Sequence, residues 1–226
     1  MKYRIIGILL IVLALIVGAG YGFKYYRESS AKSDSEIVAS LEQEAKENAA
    51  KAKEDYLVDC STNASSEEEL AEEDGERIRV VDNDVVAKIT IPACDIDYLV
   101  YENEEADFYL RKDADGNESR HGEIYTNCYD CKVPIIYGHH MTDGTMFAGL
   151  DCAYRGATIT LEDIGYLDDE IRTYTITDRI KDVPAPEVWD TIEDVDEGLI
   201  LITCSYGVKD GRLIIIAKED IPPIVE

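Results

Sequence analysis

Nineteen consecutive residues, Ile5 to Phe23 (IIGILLIVLALIVGAGYGF), carry no charge. A helix of that length rises roughly 28 Å, close to the hydrocarbon thickness of a bilayer. Lys2 and Arg4 precede the run, Lys24 and Arg27 follow it, and Tyr21, Phe23, Tyr25 and Tyr26 gather at its exit. Aromatic rings favour that depth of the membrane interface. The run is long for a secretory signal, and no small-residue cleavage site stands before Lys24. It is therefore expected to be a retained single-pass anchor. The short N-terminus and the large remainder favour an inside N-terminus and an outside C-terminal part.

Charge divides the rest. The 226 residues carry 22 Lys and Arg against 48 Asp and Glu, a formal net charge of −26. Residues 1–34 are net basic, and residues 35–82 carry fifteen acidic and five basic groups. So acidic a chain is unsuited to a nucleic-acid backbone, which rewards clustered cations. Ser35 to Leu57 is rich in Ala, Glu and Lys and reads as a solvated helical stalk. Seven of the ten residues from Glu67 to Glu76 are acidic, and such a block repels itself and extends. The expected organisation is an anchor with its flanks over 1–34, a stalk and acidic linker over 35–76, and a globular domain over 77–226.

The globular part is predicted to be mainly β. Short apolar or alternating runs recur at Val85–Ile91, Ile96–Tyr101, Ile124–Thr126, Val133–Tyr137, Thr158–Leu161, Thr173–Ile176, Leu199–Cys204 and Leu213–Ala217. Ala106–Arg111 suits a helical turn or two. Eight short strands with brief connections suggest a closed or nearly closed barrel.

Three residues at strand ends could carry chemistry. Cys204 closes an apolar strand in LILITCSYG. His139 follows another strand through Gly138, in PIIYGHHMTDGTMF, with His140 beside it. Arg212 opens the last strand after Lys209-Asp210-Gly211. If the last two strands pair as a hairpin, Arg212 and Cys204 share one rim. A thiol acts as a nucleophile through its thiolate, which a nearby cation favours. A His can protonate a departing amine, and a guanidinium can hold the oxyanion of an attacked carbonyl.

These motifs, Y-G-H-H-M-x-D-G-T-M-F, then L-x-T-C-S-Y, then D-G-R-L, resemble those of the sortases, membrane-anchored Cys transpeptidases of the Gram-positive cell surface. The resemblance runs over roughly Val85 to Pro222. It implies an eight-stranded sortase-type β-barrel with short helices, Cys204 as nucleophile, His139 as acid/base and Arg212 as oxyanion stabiliser. It implies no cofactor and no metal. The implied partners are sorting-signal peptides of surface proteins, cleaved after Thr, and an acceptor amine of a cell-wall precursor or a pilin Lys. His140 stands where class B members often have Asn, and His121 matches no motif. The Met-x-Asp-Gly-Thr-Met-Phe and Asp-Gly-Arg elements are class B-like. The interval of 65 residues from His139 to Cys204 is shorter than class B usually has and resembles classes A, D or E. The alternative reading is an anchored extracellular β-barrel that binds ligands without catalysis. Cys128 and Cys131, in C-Y-D-C, suit a local disulfide or two free thiols; with no second such pair, zinc is not implied. Cys60, Cys94 and Cys152 are given no function.

Overall fold

The computed structural model describes residues 42–43, 45–54, 79, 84–167 and 170–220. The expected anchor at Ile5–Phe23 and the acidic linker lie outside the described residues. Of the expected stalk, residues 45–54 are helical. They are not wholly solvated: Ala45 and Ala49 are buried, and Lys46 Nζ donates to Glu162 Oε1 at 2.5 Å. Small Ala side chains one turn apart leave a face that can approach another surface closely.

Among the described residues eight strands close into a barrel: β1 (Val85–Ile91), β2 (Ile96–Glu102), β3 (Ile124–Thr126), β4 (Ile135–Tyr137), β5 (Thr158–Asp163), β6 (Ile171–Pro184), β7 (Leu199–Ser205) and β8 (Gly211–Glu219). Around the barrel the order is β1-β2-β3-β4-β7-β8-β6-β5. The pairs β2–β3 and β4–β7 are parallel, and the other six are antiparallel. A five-residue helix, α1 (Val188–Ile192), lies between β6 and β7. The expected helical turn near Ala106–Arg111 is a 3-10 turn at Phe108–Leu110.

The burial of β7 and β8 explains their nearly continuous apolar runs. Leu199, Leu201, Leu213, Ile215 and Ala217 pack into the main core with Val86, Ile89, Ile124, Ile136 and Phe147. The alternate residues Ile200, Ile202 and Ile214 pack on the other face with Val183 and with Val188 and Ile192 of α1. A strand covered on both faces has no polar side to alternate. The helix thus backs the two strands that end at Cys204 and begin at Arg212.

The Cys128–Cys131 pair is a disulfide. Tyr129 between them is fully buried, and its hydroxyl donates to Asp163. Arg172 Nη2 donates to the same carboxylate at 3.1 Å and lies over the Tyr129 ring. Burial, the largest cause, raises the Tyr129 hydroxyl well above its ordinary value, and the Asp163 charge adds to it. Asp163 is thus an internal carboxylate met by the Arg172 guanidinium and the Tyr129 phenol, as a buried charge requires.

Candidate active site

Parallel pairing of β4 with β7 sets the first relation in the site. Tyr137 faces Ile202, and the Gly138 N–H extends the ladder by donating to the Ile202 carbonyl at 3.2 Å. His139 is two residues beyond Tyr137, and Cys204 is two beyond Ile202. Parallel neighbours leave a sheet at the same edge, so His139 and Cys204 come to one rim. The second relation is antiparallel: in the β7–β8 hairpin Cys204 stands directly opposite Arg212. Side chains of directly opposed residues project to the same face of a sheet. The structure therefore brings together the three residues singled out from the sequence, and the expected hairpin is present.

Gly138 is where this geometry depends on the absence of a side chain. A Cβ there would stand 2.4 Å from Ile124 Cδ1 and 2.8 Å from the Phe147 ring. Only a glycine lets the chain leave β4 so close to the core. After His139 and His140 the motif turns back on itself. Asp143 Oδ1 accepts from the Thr145 N–H at 3.0 Å and from its hydroxyl at 2.7 Å. Phe147 N–H then donates to the His139 carbonyl at 2.9 Å, and the Phe147 side chain enters the core. Much of M-x-D-G-T-M-F is thus a turn that fixes the backbone of His139.

His139 is half-buried, and its Nε2 lies 2.8 Å from the Leu110 carbonyl oxygen. A carbonyl only accepts, so Nε2 carries the hydrogen in this contact. In the neutral ring Nδ1 is then the atom with a lone pair. Cys204 is a free thiol and half-buried. The Arg212 guanidinium donates from Nη1 to the carbonyls of Asp210 at 3.2 Å and Gly211 at 3.0 Å. Among the described residues it pairs with no carboxylate, which leaves its charge free to meet an anion.

His140 is differently employed. Its Nε2 meets Asp151 Oδ2 at 2.8 Å, and Lys181 Nζ reaches the same carboxylate at 3.3 Å. These contacts, with the His140 hydrogen bond foremost, hold the Asp151 carboxyl below the usual carboxylate range. Tyr206 stands edge-on to the His140 ring, and its hydroxyl donates to the His140 carbonyl at 2.6 Å. That bond ties the turn after Cys204 to the segment carrying His139. His121 lies instead beside Asp143, at 3.5 Å. Tyr206 was marked in the sequence only as the last residue of L-x-T-C-S-Y, two beyond Cys204, with no role attached, and Asp151 had no signal.

The sortase domain model matches residues 89–220. Sortase B of Listeria monocytogenes is 36% identical over 78 residues. That match covers 32% of this chain and 32% of the relative, so the chain matches about a third of that relative's length. The crystal structure of Clostridium perfringens sortase B superposes with a TM-score of 0.51 at 23% identity, over 61% of this chain and 94% of that one. A Streptococcus pyogenes class B sortase involved in pilus biogenesis gives a TM-score of 0.50 at 21% identity, over 61% and 92%. At such identities the superpositions establish the fold alone. The family match, covering more than half of the chain and including all three rim residues, makes this protein a member of the sortase family with class B-like motifs.

Proposed function

We propose that the protein is a cysteine transpeptidase that cleaves a C-terminal sorting signal after Thr and passes the acyl group to an amine. Cys204 as thiolate attacks the Thr carbonyl carbon, and the carbonyl electrons move onto its oxygen. The Arg212 guanidinium neutralises that oxyanion, which exists only after attack. As the tetrahedral intermediate collapses, the C–N bond breaks and His139 gives its proton to the departing amine. The Thr acyl group remains on Cys204 as a thioester. An acceptor amine then attacks the thioester, gives a proton to His139, and displaces the Cys204 thiolate. The acceptor in this reading is an amine of a cell-wall precursor or the side chain of a pilin Lys. The anchor at Ile5–Phe23 would hold the enzyme in the cell membrane, N-terminus inside and catalytic domain outside.

The observation that carries the reading is the pairing of Cys204 with Arg212 at the rim where β4 delivers His139. A thiol, a cation that pairs with no carboxylate among the described residues and an imidazole there supply nucleophile, oxyanion partner and proton carrier. The test is cleavage of peptides with Leu-Pro-x-Thr-Gly and Asn-Pro-x-Thr-x cores by wild type and by Cys204→Ala, with intact-mass detection of the trapped acyl-enzyme. Cleavage lost in Cys204→Ala and an adduct on Cys204 are expected. Binding without cleavage by the wild type, or an adduct on another Cys, would overturn the reading.

A further inference from the structure

Asp182 lies near the end of β6, inside the second register shift of that strand against β8, between Ile180 and Val183. Its φ is 62°, a left-handed conformation that residues other than Gly, Asn and Asp seldom adopt. So placed, its Oδ1 accepts two hydrogen bonds from the turn that follows Cys204. One comes from the Ser205 hydroxyl at 2.7 Å and one from the Gly207 N–H at 3.0 Å. Ser205 is buried and is the last residue of β7. Two glycines give the carboxylate and the hydroxyl their room. A Cβ on residue 207 would stand 2.0 Å from Asp182 Oδ2, and one on residue 211 would stand 2.7 Å from Ser205 Oγ.

The β7–β8 ladder ends at Ser205 and Gly211, one residue beyond the Cys204–Arg212 pair. Residues 206–210 are exposed. Order past the end of the ladder therefore depends on contacts to neighbouring elements, and Asp182 supplies two of them with one charged group. Hydrogen bonds to an ionised acceptor are the stronger kind. From these contacts we infer that Asp182 is a positioning residue, which clamps Ser205–Gly207 and thereby holds Cys204 in register with Arg212. The inference rests on the proposed transfer reaction. Asp182 acts through the hairpin and touches no reacting atom.

Three substitutions separate the clamp from general stability. Asp182→Gly keeps a residue at ease with positive φ and removes the carboxylate. Asp182→Asn keeps an acceptor oxygen and also tolerates the left-handed backbone. Gly207→Ala leaves Asp182 in place and pushes its carboxylate out with a methyl group. Two quantities are read on each folded protein: kcat and KM for sorting-peptide cleavage, and the alkylation of Cys204 by iodoacetamide relative to exposed Cys152 in the same molecules. Asp182→Gly and Gly207→Ala should lower kcat about tenfold to a hundredfold, the scale of an ångström's misplacement of a reacting group. KM should stay within about twofold, since uniform binding is untouched. The Cys204:Cys152 alkylation ratio should fall severalfold, because Cys204 loses its fixed place opposite a cation. Asp182→Asn should restore most of both. Wild-type kcat and alkylation ratio in Asp182→Gly, even with a lowered melting temperature, would overturn the inference, as would an Asp182→Asn protein as impaired as Asp182→Gly. If the wild type cleaves no sorting peptide, the proposed reaction falls, and the alkylation ratio alone decides the clamp.

Discussion

Glu123, just ahead of β3, is a carboxylate held where it would rather be neutral. Its backbone N–H donates to the Tyr109 carbonyl at 2.9 Å, which joins it to the 3-10 turn that carries the Leu110 contact to His139. Its side chain is largely withdrawn from water. Burial, the largest cause, pushes its carboxyl from 4.5 up to about 7; the neighbouring Asp113 charge adds, and the Ala114 N–H that donates to Oε1 at 3.1 Å opposes. The folded value is raised, so stability is complete below the unfolded value and is lost as pH rises toward the folded one. At about 1.4 kcal/mol per pH unit, the interval sets an upper bound of about 3 kcal/mol on the cost of ionising Glu123 in the fold. Residual contact with solvent brings the expected figure to about 2 kcal/mol. Gln has the shape of the protonated acid and can still accept from Ala114. Glu123→Gln should therefore stabilise the protein at pH 8.5, raising Tm by about 4–8 °C at about 2–4 °C per kcal/mol for a domain of this size. At pH 5.5, one unit above the unfolded value, the gain should shrink to roughly half. Thermal unfolding followed by circular dichroism at the two pH values decides the matter. An equal Tm change at both, or a loss of Tm at pH 8.5, would show that burial does not strain this carboxylate.

Two further outcomes follow from the site. Arg212→Ala should lower kcat by roughly 10²–10³ and affect KM less, because its charge meets an oxyanion found only after attack; Arg212→Lys should recover a part, lacking the planar fork. Steady-state kinetics with wild-type kcat/KM in the Ala variant would remove Arg212 from the reaction. Gly138→Ala should cost about 1–3 kcal/mol of stability by overpacking Ile124 and Phe147, and should lose peptide cleavage because the relief moves His139; full activity with an unchanged Tm would contradict the close approach seen there.

The barrel was largely legible because most strands announce themselves by local pattern. Val85–Ile91 and Ile124–Thr126 were expected and found with the same bounds. The apolar runs of β7 and β8 were legible for a reason visible only in three dimensions, the covering of one face by α1 and Val183. The strand least foreseen was β6. Only Thr173–Ile176 suggested it, yet it runs for 14 residues to Pro184. Its second half, TDRIKDVP, carries charges at Asp178, Arg179, Lys181 and Asp182 and two register shifts, which destroy any period of two. Pairing with β8 imposes the strand there. The three rim residues were legible because strand ends and motif spacing mark them. Asp182 was not: its importance lies in a bulge and in a bond across 23 residues of chain, and neither leaves a local trace.

The parallel ladder between β4 and β7 has a consequence for how chain length and chemistry relate. His139 and Cys204 are held in register by backbone bonds that precede them both, and the connection from β6 to β7 is a detour that leaves the barrel and returns to it. A detour can be shortened or extended without altering where its two ends are fastened, and for a flexible segment each doubling of its length costs only about 0.6 kcal/mol of closure entropy. Here the detour, residues 185–198, holds a 3-10 turn at Ala185–Glu187 and a helix of five residues. A bigger insertion before β7 would change what overhangs the rim and leave the distance between imidazole and thiol as it is. The separation of these two residues along the chain is therefore free to drift as the overhang is remodelled, while class B-like motifs persist at either end.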